Sequence, residues 1–250
     1  MNRFAPETIG SPLDLSNSLD LVHPQSSIWT PGLSPPGSRF TKKKMKYLLF
    51  LFGLLMLQPA DAQRPELKTD TSILMPKIVF DANGDLSITA AATSWPHDFD
   101  FLIGKWKMDN RRLNQRLQNC HDWTAFQSTN EASPILTGLG NFDRYKTTEM
   151  PGIVGTNFEG FTLRLFNPKT RLWSLYWVAN NSGVLDPPQV GSFENNIGHF
   201  FAKDTYHGIP VIVVFRWDVR DKNHPVWSQA FSTDNGKTWE WNWYAAFDRI

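Results

Sequence analysis

From Trp95 onward, hydrophobic residues fall in short alternating or aromatic runs, and Gly, Pro, Asn or Asp interrupts them roughly every eight to twelve residues. Alternation with period two marks strands with one buried face, because successive side chains on a strand point to opposite sides. Ten strands are predicted, near 101–110, 122–130, 136–146, 158–167, 171–180, 188–195, 197–205, 209–219, 225–233 and 238–249. The joins at Asn167-Pro168-Lys169-Thr170, Asn195-Asn196-Ile197-Gly198 and Asp234-Asn235-Gly236-Lys237 are tight, so neighbouring strands should pair antiparallel in chain order. Three faces are expected: Trp173, Leu175 and Trp177; Val211, Val213, Phe215 and Trp217; and Trp239, Trp241 and Trp243. The expected fold is all-β, an antiparallel up-and-down barrel that removes both sheet edges, with a sandwich as the competing architecture. The one helical stretch of note is predicted around Asn110–Asn119.

The pattern is different upstream. Residues 1–44 are rich in Pro and Ser without periodicity and read as a non-folding upstream extension. Residues 45–62 read as a signal peptide: Lys42, Lys43, Lys44 and Lys46 give a basic flank, Tyr47–Leu57 an apolar run, and Ala60-Asp61-Ala62 a small-residue cleavage site. Eleven apolar residues rise about 16 Å as a helix, well short of the roughly 30 Å needed for a permanent span. Export is the expectation, periplasmic or extracellular, with Met45 as the start and no stable membrane span after cleavage. Residues 63–94 read as a linker or loosely docked arm, and residues 95–250 as the barrel domain.

Composition narrows the function classes. With 25 basic and 24 acidic residues the formal charge is +1, so nucleic acid is not an expected partner. Cys120 is the sole cysteine; it forms no disulfide within one chain, and no Cys-based metal cluster can be built. No histidine spacing announces a metal site, no G-x-S-x-G elbow occurs, and phosphate-binding glycine loops are missing, so no cofactor is expected. Nine of the 11 tryptophans lie between Trp106 and Trp243, suited to a β core or to pockets for flat apolar ligands.

Ser232, Asp234, Gly236, Thr238 and Trp239 have the Asp-box spacing found in sialidase propellers. It occurs once, with no blade-length repeat, and so predicts a hairpin: Asp234 accepts turn N–H groups, Gly236 takes a restricted backbone conformation, and Trp239 packs the turn on the sheet.

Phe99-Asp100-Phe101-Leu102-Ile103-Gly104-Lys105-Trp106 resembles the opening strand of lipocalin-like, calycin-type barrels, whose hallmark is G-x-W. The resemblance implies that Gly104 and Trp106 close one barrel end and that Arg249, from the last strand, stacks across the Trp. FEGFTLRLFNPKTRLWSLYW (158–177), LDPPQVGSF (185–193), DTYHGIPVIVVFRW (204–217) and WSQAFSTDNGKTWEWNW (227–243) together resemble a bacterial domain family of unknown function with a lipocalin-like barrel. The resemblance covers roughly residues 97–250 and implies an internal cavity, not a reaction. Nitrobindin-type haem barrels are similar in layout, but Lys107, Met108 and Asp109 follow Trp106 where that group has glycines, and no His lies beyond His224. Haem is not expected; His199 and His207 are the candidate ligands.

A small-molecule ligand inside the barrel is therefore the leading functional expectation, held by Trp173, Trp177 and Trp241 with polar anchors among Arg111, Arg164, His207 and Arg216. Arg111-Arg112, Arg164 and Arg216 are the notable cations, since guanidinium can clamp a carboxylate bidentately if it faces inward. Asp186 and Asp204 read as turn carboxylates. A hydrolase or isomerase using the same cavity, or a carbohydrate-binding module with stacking tryptophans, are the alternatives. Oligomeric state has no sequence signal.

Overall fold

The run Phe158-x-Gly160-x-Thr162-x-Arg164-x-Phe166 buries every second side chain, and its partner strand does the same with Trp173, Leu175 and Ala179. The same alternation recurs along the chain, and in the computed structural model it rolls the sheet shut. The structure describes Asp70, residues 72–153 and residues 157–250. The expected upstream extension and the signal peptide lie outside the described residues.

Ten strands follow in order: β1 (Gly104–Leu113), β2 (Trp123–Ile135), β3 (Gly140–Thr147), β4 (Phe158–Asn167), β5 (Leu172–Ala179), β6 (Gln189–Glu194), β7 (Ile197–Tyr206), β8 (Ile209–Asp218), β9 (Val226–Ser232) and β10 (Glu240–Arg249). Each pairs antiparallel with the next, and β1 pairs with β10 to close the barrel. Closure leaves no edge strand, as the short joins require.

Three local expectations differ. The first strand begins at Gly104, because Asp100–Leu102 form a 3-10 turn ahead of it. No helix forms around Asn110–Asn119: β1 runs through Leu113, where Asn110 and Leu113 are buried, and a loop follows. Trp239, Trp241 and Trp243 do not share one face, because the β10–β9 register shifts between Trp241 and Trp243. Asn242 occupies that bulge, so Trp241 packs outside the barrel while Trp243 points inward.

One end is sealed by aromatic packing. Phe99, Leu102, Trp106 and Phe200 have no exposed surface, and Phe99 meets Trp173 and Phe193 edge-on at 5.0 Å between ring centres. Trp106 donates its indole N–H to the Leu102 carbonyl at 2.6 Å. Arg249 stacks 4.1 Å from the Trp106 ring centre and donates to the carbonyls of Phe101 at 2.7 Å and Ile103 at 2.9 Å. Gly104 takes φ +118°, and a Cβ there would stand 3.0 Å from the Arg249 guanidinium.

Outside the barrel, Phe201, Ile212, Val214 and Ala230 form an apolar patch on β7–β9. Residues 72–94 lie across it, with Met75, Ile78, Phe80, Leu86 and Ile88 packed against it beside Trp239 and Trp241. Ala91 donates to Ser192 Oγ at 2.9 Å, and Ser94 donates to the Arg171 carbonyl at 2.7 Å.

Candidate functional site

Period two sends Arg112 of β1, Tyr145 of β3, Trp177 of β5, Gln189 of β6, Phe215 of β8, Trp227 and Gln229 of β9 and Trp243 of β10 into the lumen. Trp177, Phe215, Trp227 and Trp243 each retain some accessible surface although they point inward, unlike the aromatics of the sealed end. Trp227 meets Trp243 edge-on at 5.6 Å and Phe215 at 5.1 Å. The wall is therefore aromatic, as expected for a site that takes a flat or apolar body.

Polar groups are interleaved with it. Asn110 donates to Ser128 Oγ at 2.8 Å and accepts the Trp243 indole N–H at 3.2 Å; Gln229 donates to Asn242 Oδ1 at 2.8 Å. Asn130 Oδ1 and Gln189 Oε1 are buried without a partner, and the Tyr145 hydroxyl is buried beside Ser128. Buried polar atoms are normally hydrogen-bonded, so such atoms mark places where a further molecule would be held. Burial pushes the Tyr145 phenol upward, keeping it protonated and able to donate.

Two arginines stand at the mouth, the lumen end away from Trp106. Arg112 donates to the Pro151 carbonyl at 3.3 Å and contacts Met150 Sδ at 3.4 Å, with its guanidinium 5.2 Å from the Trp243 ring centre. Arg116 comes from the β1–β2 loop, is 8% exposed, and lies 5.5 Å from the Tyr206 ring and 5.7 Å from the Phe231 ring. Leu117 holds this loop over the barrel end: its N–H is shared by both Glu240 carboxylate oxygens at 2.9 Å, and its side chain packs with Val211, Val213 and Phe231. Leu117 adopts φ 58°, a left-handed conformation unusual for a branched side chain. Burial, then the neighbouring Arg116, pushes Arg112 down to about 9; burial also lowers Arg116. Both guanidiniums stay charged at neutral pH.

Carboxylates approach the mouth from the other side. Asp186, whose N–H donates to the Trp177 carbonyl at 2.8 Å, is pushed up to about 6 by burial and by Asp204. Burial raises Asp204 as well, on the inward face of β7.

The residues singled out by sequence divide between several places. Trp177 lines the accessible lumen, and Trp173 lies in the sealed end. Arg164 points inward among the sealed-end aromatics, 5.2 Å from the Phe99 ring, where it is ion-paired to Asp143 and donates to Asn141 Oδ1 at 3.1 Å. Arg216 is on the outer face, buried with its guanidinium 4.2 Å from the Trp241 ring, beside His199, which burial pushes down to about 4. Arg111 is also outside, 5.3 Å from the Trp123 ring, and His207 occupies the β7–β8 turn at φ 47°. Asp234 accepts from the Lys237 and Thr238 N–H groups at 3.1 and 2.9 Å, while Ser232 Oγ accepts from Gly236 at 2.8 Å. Gly236, at φ +83°, faces Ile78 so closely that a Cβ would meet it at 2.3 Å, and Trp239 sits beside Phe201. The Asp-box is thus a hairpin that helps seat residues 72–94.

Arg116, Tyr145 and Gln189 were not singled out by sequence. Tyr145 on β3 and Gln189 on β6 obey the period-two rule, but nothing in a loop's composition points Arg116 inward. Two surface clefts flank residues 76–91: one of about 310 Å³ beside Pro187, Pro188 and Phe201, and one of about 250 Å³ beside Ser192 and His199. Among the described residues, no group of three His, Cys, Asp or Glu converges as for a metal ion, and no helix is long and apolar enough to cross a membrane. Trp95 is the one markedly exposed tryptophan among the described residues. No protein-family model matches this chain, and a search of curated proteins found no match. The fold is an antiparallel ten-stranded barrel compatible with a ligand-binding calycin-like protein.

Proposed function

We propose that this chain is an exported lipocalin-like protein that binds a small, partly apolar or aromatic molecule in the barrel interior. The observation that carries the reading is the accessible inward surface of Trp177, Phe215, Trp227 and Trp243. Aromatic surface left in contact with water is unfavourable, and an aromatic wall left accessible within a closed barrel suits a flat guest. The family likeness and the export reading rest on the quoted motifs and on residues 42–63. Calorimetric titration with 2-naphthylmethanol, a neutral aromatic probe, tests the cavity. A saturable 1:1 heat with Kd at or below about 100 µM is expected. Absence of binding rejects the reading, and native mass spectrometry of protein from its own host tests it with natural ligands.

A second reading, a hydrolase or isomerase in the same cavity, is favoured by Asp186. A carboxyl titrating near 6 beside another carboxylate is suited to general acid–base work near neutral pH. Hydrolysis of 2-naphthyl acetate, with a pH midpoint near 6 that vanishes in Asp186→Asn, would support it; a rate equal to buffer at every pH would reject ester hydrolysis.

A further inference from the structure

We propose that Arg112 and Arg116 together form the receptor for a monoanionic carboxylate head group, carried by a ligand whose aromatic or apolar body lies against Trp177, Trp227 and Trp243. The inference rests on the cavity reading above and names the class of molecule it takes.

Arg116 is close enough to lower the proton affinity of Arg112, yet among the described residues neither has a carboxylate within ion-pair distance. Every other buried cation of the lumen is answered: Arg164 has Asp143 and Asn141. Arg112 donates only to a carbonyl and a thioether, and Arg116 rests on two aromatic faces. Two like charges taken out of water, with weak acceptors and ring faces for company, are unfavourable unless an anion completes the set. Aromatic contacts offset part of that penalty.

Glu240 is the carboxylate that Arg116 feels, and both its oxygens are already engaged by the Leu117 N–H. Among the described residues it is the one carboxylate whose charge acts on either arginine, so this cluster of two arginines and Glu240 carries a local +1, while Asp186 and Asp204 stand on the other side of the mouth. A carboxylate matches that charge and the planar fork of guanidinium, whereas a phosphate dianion exceeds it. The buried Tyr145 hydroxyl, kept protonated by burial, adds a neutral donor within electrostatic reach of Arg112. Below this polar cluster, the Trp243 ring that supports Arg112 continues through Trp227 into the aromatic wall, so head and body sites are contiguous.

The test is calorimetric titration of the full chain with 2-naphthoate, 2-naphthyl phosphate and 2-naphthylmethanol. Wild-type protein is expected to bind the carboxylate about tenfold or more tighter than the alcohol, and tighter than the phosphate. Arg112→Met/Arg116→Met should bring the carboxylate to the affinity of the alcohol while leaving the alcohol within about twofold. Arg116→Lys, which keeps the charge and loses the fork, should retain part of the preference. Far-ultraviolet circular dichroism of each variant checks that the barrel is intact; if the double variant does not fold, Arg116→Lys and the wild-type preference decide. Equal affinity for carboxylate and alcohol in wild type, or a preference that survives the double variant, overturns the receptor while leaving the cavity reading intact. A phosphate that binds tightest overturns the carboxylate assignment. Failure of all three probes overturns both readings.

Discussion

The two ends of one barrel treat the same residue types differently. At the Trp106 end, aromatics are packed until almost no surface remains, and the buried cation Arg164 is matched by Asp143. Along the rest of the lumen, Trp177, Trp227 and Trp243 keep accessible surface, and at the mouth Arg112 and Arg116 have no carboxylate ion-paired to either among the described residues. Period-two patterning builds both ends equally well. What separates them is satisfaction of polar groups and filling of volume, so stability should reside at one end and binding at the other.

The sharpest break of that contrast is to delete the sealing side chain. Trp106→Ala removes a fully buried ring, its hydrogen bond to Leu102 and the platform under Arg249, and should cost about 3–5 kcal/mol in urea unfolding. Trp243→Ala, at the accessible wall, should cost about 1–2 kcal/mol, because its ring is only partly removed from water in the folded state. Equal losses would mean that the mouth is as tightly packed as the sealed end.

Next in size is the ion pair. Arg164→Met leaves Asp143, 2% exposed, as a buried unpaired charge and should cost about 3 kcal/mol. Arg164→Met with Asp143→Leu should recover most of that loss, since an apolar pair of similar bulk suits an aromatic surround. At the mouth the corresponding Arg116→Met should destabilise little or even stabilise, having no carboxylate partner to strand. Chemical denaturation of the three variants decides it, and a large loss in Arg116→Met would assign that arginine a structural role.

These contrasts track what the sequence makes legible. The barrel and its strand order follow from alternation and short joins, because backbone pairing is a local and repetitive constraint, whereas the Trp106–Arg249 stack is legible only through what the resemblance of the G-x-W stretch implies. The face of each strand is readable as long as the period holds, which is why Trp173 and Trp177 fall together on the inner face. It ceases to hold at Asn242, where one extra residue sends Trp241 and Trp243 to opposite sides of the wall. Arg116 is illegible for a different reason. It lies in a loop whose course is set by the hydrogen bond of Leu117 to Glu240, 123 residues further on, and no sequence period encodes that contact.

A smaller effect follows from Asp186. Its folded value, about 6, stands above the roughly 3.9 of an unfolded aspartate. The folded state therefore holds the proton more tightly, and the associated stability is present below about pH 4 and lost as pH rises through about 6. Asp186→Asn should raise stability at pH 7.5 by about 1 kcal/mol, a figure reduced for solvent screening because the group is partly exposed, and should make no difference at pH 4. Melting temperatures of both proteins across pH 4–8 test this. A gain of the same size at every pH would show that burial of Asp186 does not disfavour its charge.

The smallest effect belongs to a neighbour. Arg111 and Arg112 are adjacent on β1 and chemically identical, but the strand sends Arg111 to the outer face over Trp123 and Arg112 inward over Trp243. Arg111→Gln should therefore change the affinity for 2-naphthoate by less than about twofold, whereas Arg112→Gln removes a charge from the proposed head-group site and should weaken it about tenfold. Because both substitutions remove one positive charge from nearly the same place in the chain, a general loss of electrostatic attraction would lower the two affinities alike. A difference confined to Arg112 requires contact, since within one strand the two side chains differ in face alone. Calorimetry at two salt concentrations completes the distinction: long-range attraction fades as the screening length falls from about 10 Å at 0.1 M to about 3 Å at 1 M, while a buried guanidinium–carboxylate contact is screened much less.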